Sequence, residues 1–114
     1  MTQDEELQVR TLVEILGRHA EVRERAPSLE REAHAWLEAG FDDPEEVSDW
    51  LDARCFEAQA AQALERAGLT PEQAALRTSA GARQYEETIG FKFARGDLSL
   101  EEARRIATEA FWNS

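Results

Sequence analysis

The chain has 114 residues, with 24 acidic against 13 basic side chains and a net charge of −11. That length fits one domain, read here as residues 1–114, and that charge argues against a basic nucleic-acid reader or an anchor on an anionic membrane. A single cysteine, Cys55, excludes an intrachain disulfide and with it the framework of a small secreted protein.

The start, Met1-Thr2-Gln3-Asp4-Glu5-Glu6, is acidic where a signal peptide would be basic and then apolar. No apolar run approaches the roughly 18 residues that a membrane span needs. A soluble, cytoplasmic protein is expected.

The first predicted helix runs from about Gln3 to Ala26. Thr2 and Glu5 have capping-box spacing, and Val9, Leu12, Val13, Leu16 and Ala20 make one apolar stripe that Ile15 and Val22 widen. Pro27 stops it. Ser28 caps a helix of about 29–39 with Leu29, Ala33, Trp36 and Leu37 inward. Gly40 is placed as its left-handed cap, and Phe41 can fold back on the last turn.

Asp43-Pro44-Glu45-Glu46 is the next start signal: a cap, a proline at the first helical position and a glutamate to complete the box. That helix carries Val47, Trp50 and Leu51 and frays near Arg54. A fourth, from about Glu57 to Ala67, ends at Gly68. Thr70-Pro71-Glu72-Gln73 opens a short fifth, broken at Thr78-Ser79-Ala80-Gly81. A helix over 82–95 is expected to put Tyr85, Ile89 and Phe93 on one face and Phe91 to the side, with Gly96 at its end. Ser99 and Glu102 form a further capping box for the last helix, with Leu98 as its staple. No strand periodicity or hairpin signal is present. The predicted fold class is all-α, a compact bundle of five to seven helices with a long N-terminal helix, short helical repeats in the middle and a C-terminal helical hairpin; residues 1–76 make a more acidic part and the hairpin, 77–114, a neutral one.

Trp36-Leu37 and Trp50-Leu51 are 14 residues apart, and Ala63-Leu64 follows at 13. Each pair precedes a small-residue turn. The runs Trp36-Leu37-Glu38-Ala39-Gly40-Phe41 and Ala67-Gly68-Leu69-Thr70-Pro71-Glu72-Gln73-Ala74 resemble short helical repeats of uncharacterised bacterial proteins. The resemblance spans about residues 33–76 and implies no activity. Arg54-Cys55 departs from its glycine corner.

Charge is uneven. Residues 1–40 carry net −4, residues 41–75 net −7 and residues 76–114 net zero. The densest patch is Asp42, Asp43, Glu45, Glu46, Asp49 and Asp52, with no base among them. Glu45, Asp49 and Asp52 fall on one stripe of a helix starting at Pro44, opposite Val47 and Leu51. Such a stripe is either a solvated face or a docking surface for a basic partner, since aligned carboxylates can imitate phosphates. Acidic anti-restriction and anti-CRISPR proteins share this charge, though no motif.

Candidate chemistry is sparse. Glu30, His34 and Glu38 have one-face metal spacing but no further ligand nearby. Cys55 lacks a neighbouring histidine or helix N-terminus to activate it. No phosphate loop, nucleophile elbow or Cys-x-x-Cys occurs. No catalytic residue, metal or cofactor is expected, and the chain is read as a non-enzyme.

Residues 68–114 superficially resemble a phage-repressor helix-turn-helix, but Gly81 falls about two residues late, and Glu86 and Glu87 stand where DNA contacts belong. The expected function is therefore a non-catalytic interaction module that binds a basic protein through Asp42–Asp52, with Phe91, Phe111 and Trp112 as a second contact. In its sharper form the module is an inhibitor occupying a nucleic-acid-binding groove. A DNA-binding regulator using residues 68–114 and a helical scaffold or homodimerisation unit are the alternatives.

Overall fold

Among the described residues, four helices end in the same way. The computed structural model describes residues 3–25 and 28–112, with side chains described for 5–24 and 28–110. In helix α3 (Leu29–Glu38), the amide of Gly40 donates to Leu37 C=O and that of Phe41 to Trp36 C=O. Helix α4 (Pro44–Asp52) repeats this pair of bonds with Arg54 to Leu51 and Cys55 to Trp50. Helix α5 (Ala58–Arg66) does so with Gly68 to Glu65 and Leu69 to Leu64, and helix α7 (Ile89–Ala94) with Gly96 to Phe93 and Asp97 to Lys92.

This is the Schellman ending, which needs a residue at positive φ just after the helix. Gly40, Gly68 and Gly96 supply it at +98°, +95° and +82°. The two residues joined by the outer bond are buried in every case: Trp36 with Phe41, Trp50 with Cys55, Leu64 with Leu69, and Lys92 with Asp97.

The repeat is therefore regular in a register different from the one expected. Leu64, rather than Ala63, is the counterpart of Trp36 and Trp50, at a spacing of 14. Lys92 follows Leu64 at twice that spacing. The unit that would lie between them is replaced by helix α6 (Pro71–Ala74), strands β1 (Arg77–Thr78) and β2 (Glu87–Thr88), and the segment that joins the strands. The two strands pair antiparallel, Arg77 opposite Thr88 and Thr78 opposite Glu87.

Three expectations give way here. The helix expected over Gln3–Ala26 is two, α1 (Gln3–Gly17) and α2 (Ala20–Arg25), separated at Arg18-His19. Gly17 is a poor helix former, the Arg23 guanidinium binds its carbonyl at 2.9 Å, and the bend brings both Leu16 and Val22 into the core. The helix expected over 82–95 is only Ile89–Ala94, so Tyr85 lies outside it and the C-terminal pair is a six-residue helix against α8 (Leu100–Trp112). The expected box at α4 is half formed. Asp43 accepts from the Glu45 amide, but Glu46 turns away toward Glu65.

The boxes at Thr70/Gln73 and Ser99/Glu102 form with both bonds. Thr2, of the expected first box, and Ala26-Pro27, at the expected first stop, lie outside the described residues. With these corrections the fold is all-α: eight helices among the described residues, and one two-stranded ladder.

Helix α1 packs on α3 and α4, α5 on α3 and α7, and α6 on α4. A continuous core joins Leu12 and Leu16 to Trp36, Phe41, Val47, Trp50, Leu51, Leu64 and Ile89. The Trp36 and Phe41 rings meet edge to face at 5.2 Å, and Phe41 meets Trp50 at 6.3 Å. Truncating any one of these rings to alanine is expected to cost about 3–5 kcal/mol. Among the described residues, no helix is long and apolar enough to cross a membrane.

Candidate functional site

The acidic surface is fixed by the two ends of α4. Asp43 caps its start, Pro44 takes the first helical position, and the corner at Arg54 stops it. Val47, Trp50 and Leu51 are buried, so the helix can turn only one face outward. Asp42, Asp43, Glu45, Asp49 and Asp52 are all exposed, and Glu46 is half-buried. None of the six forms an ion pair among the described residues, whose paired cations are Arg18, Arg54, Arg77 and Arg83.

The sequence did not reveal two further acids of this region. Asp49 and Asp52 line a shallow groove of about 460 Å³ with Thr70, Pro71 and Glu72, so Glu72 of α6 widens the carboxylate row. On the other side, Glu46 meets Glu65 of α5. The proton shared between these two carboxyls pushes Glu46 up to about 7, with burial, the Glu65 charge and the charge of Asp43 acting in the same direction. The Trp50 indole N–H, buried without an aligned acceptor, opposes this in part. No period in the sequence signals the Glu46–Glu65 contact, because it joins different helices.

Phe91 is not part of this surface. It is half-buried and lines a second groove with Glu21, Arg54, Phe56 and Arg95. The Arg54 and Arg95 guanidinium groups lie 5.2 and 5.4 Å from its ring centre. The side chains of Phe111 and Trp112 lie outside the described residues.

Arg54 explains why the second corner lacks glycine. Its backbone takes φ +63°, strained for a residue with a Cβ. In exchange its side chain reaches Glu21 of α2 at 3.2 Å and Glu87 of β2 at 3.0 Å. The same corner seats α7. The Thr88 hydroxyl donates to Ala53 C=O at 2.6 Å, and Gly90 lies so close that an added Cβ would be 3.0 Å from that of Cys55.

The last corner is polar. Lys92 is fully buried, and its Nζ donates to the carbonyls of Tyr85 (2.8 Å), Arg83 (3.1 Å) and Thr78 (3.5 Å), 4.6 Å from the Tyr85 ring centre. No carboxylate lies within ion-pair distance of it among the described residues. Asp97, also buried, accepts from the Tyr85 hydroxyl at 2.7 Å and faces Arg83 Nε at 3.7 Å. Sequence reading missed this cluster; the position of Gly96, two repeat spacings after Gly68, signals the corner but not the polar pair that fills it.

Burial pushes the Cys55 thiol up to about 12, the opposite of what a nucleophile needs. Glu30, His34 and Glu38 are exposed along α3, and the first two line a groove with Glu5 and Glu6 of α1. Among the described residues, no three potential ligands gather as a metal ion requires. Compared with known protein families, curated proteins and solved structures, the chain matches none.

Proposed function

We propose that the protein is a non-catalytic interaction module whose α4 face, Asp42–Asp52 extended by Glu72, docks on a basic protein surface of the kind that binds nucleic acid. The observation that carries this reading is a row of exposed carboxylates without an ion-pair partner among the described residues, on a helix anchored by three buried side chains. Glu45, Asp49 and Asp52 repeat at one-turn intervals, with roughly 5–6 Å between neighbouring Cβ atoms. A rigid acidic row loses little entropy on docking and attracts a cationic groove from a distance.

Such a contact is sensitive to salt, because the screening length falls from about 10 Å at 0.1 M to about 3 Å at 1 M. The test is capture of nucleic-acid-binding proteins on the immobilised chain at low and high salt, with duplex DNA as competitor. Retention is expected only at low salt. DNA should displace the captured protein, and Asp49→Arg with Asp52→Arg should abolish capture. A partner retained by the double variant, or indifferent to DNA, overturns the reading.

A further inference from the structure

We propose that residues 79–86 form a lid, latched over the Asp97-Leu98 corner by the buried ammonium of Lys92, that opens as a unit while the helical core stays folded. The lid stands where the repeat spacing calls for one more helix and corner, and it has no regular structure of its own. Its contacts with the corner are mainly polar. The Ala82 amide donates to Asp97 C=O at 2.8 Å, Tyr85 reaches the Asp97 carboxylate, and Lys92 binds the carbonyl of Thr78, just before the segment, and those of Arg83 and Tyr85 within it. Gly81, at φ +111°, lies so close that a Cβ would come within 2.5 Å of Asp97 C=O and 3.2 Å of a Leu98 methyl carbon.

This pattern differs from that of the other corners, where burial of Phe41, Cys55 and Leu69 provides the hold. Apolar contacts have no substitute in water, so those corners come apart only with the core. Carbonyls, an ammonium and a carboxylate can each exchange a protein partner for water, which costs far less than leaving them unpaired. Opening hydrates Lys92 and Asp97 together, and leaves neither as an unpaired charge in the interior. Segments with few buried apolar contacts are the ones that open below the free energy of global unfolding.

The experiment is native-state hydrogen exchange on the full chain, comparing the hydrogen-bonded amides of Ala82 and Tyr85 with those of α3, α4 and α5. In the wild type the lid amides are expected to exchange at least about 100-fold faster than the Trp50 and Leu51 amides, with little dependence on added denaturant. Tyr85→Phe, which removes only the hydroxyl, should speed exchange in the lid several-fold and leave the helices unchanged. Lys92→Met should remove lid protection while the helical circular dichroism persists. Should Lys92→Met fail to fold, the wild type and Tyr85→Phe decide. Lid and core amides exchanging together in the wild type, or Tyr85→Phe accelerating both alike, overturns the proposal.

Discussion

Asp97 is joined to Lys92 by an amide-to-carbonyl hydrogen bond of 2.8 Å, the bond that joins Phe41 to Trp36 at 3.0 Å at the end of α3. One backbone device thus holds an aromatic pair in the first corner and a charged pair in the last. The polar pair leaves groups that must be satisfied from elsewhere. Asp97→Leu removes the acceptor of the Tyr85 hydroxyl and the partner of Arg83, and is expected to lower stability by about 1–3 kcal/mol. Asp97→Asn keeps an acceptor oxygen and should cost less than the leucine variant. Urea unfolding of the two variants checks this.

At the second corner the conformational and side-chain effects separate. Arg54→Gly relieves the strain of φ +63° but loses the contacts with Glu21 and Glu87. Arg54→Ala loses the same contacts and keeps the strain. The alanine variant should therefore be the less stable, by about 1 kcal/mol. Equal urea midpoints for the two would show that the backbone at Arg54 is unstrained.

The acidic face should be dispensable for folding. Its carboxylates are exposed and repel one another, so Asp49→Arg with Asp52→Arg is expected to change stability by no more than about 0.5 kcal/mol per site, toward greater stability. The melting temperature and far-ultraviolet spectrum should stay close to those of the wild type. A large loss of stability would show that these residues hold α4 in place.

Glu46 makes stability depend on pH. Its folded value of about 7 lies above its ordinary 4.5, so the folded protein binds more protons than the unfolded chain between these limits. The contribution is complete below about pH 4.5 and is lost as pH rises through 7. Because Glu46 is partly solvated, the effect is expected to be of order 1 kcal/mol.

Glu21 and Glu102 act in the opposite sense. The backbone amides beside each carboxylate hold it below the usual range, so their contribution disappears in acid. Denaturant midpoints should therefore be higher near pH 5.5 than at pH 8, and Glu46→Gln should flatten that slope. An unchanged slope in Glu46→Gln would place the titrating group elsewhere.

Cys55 should be chemically silent in the folded protein. Its thiol is buried, and burial pushes it up to about 12. A thiol reagent at pH 8 is expected to label it only as fast as the protein unfolds. Rapid labelling without denaturant would mean that the Trp50–Cys55 corner opens locally.

Where a cap or a glycine corner marks them, helix ends were legible in the sequence, because each depends on a few neighbouring residues; the break after Gly17 and the late start of α7 at Ile89 were not. Ser28, Asp43, Thr70 and Ser99 cap as their spacing indicates, and Gly40, Gly68 and Gly96 end helices because positive φ suits glycine. The acidic stripe was legible for the same reason, since helical period alone sets Glu45, Asp49 and Asp52 opposite Val47 and Leu51.

Tertiary structure decided what depends on distant partners. Two-residue strands carry no period, and they form because β1 meets β2 across the lid. Arg54 replaces a glycine because Glu21 and Glu87, far from it in sequence, converge on its guanidinium. Nothing local marks Lys92 as a core residue, since burial normally costs an ammonium heavily. It is buried here because the fold brings three carbonyls to its Nζ, an arrangement that no local pattern specifies.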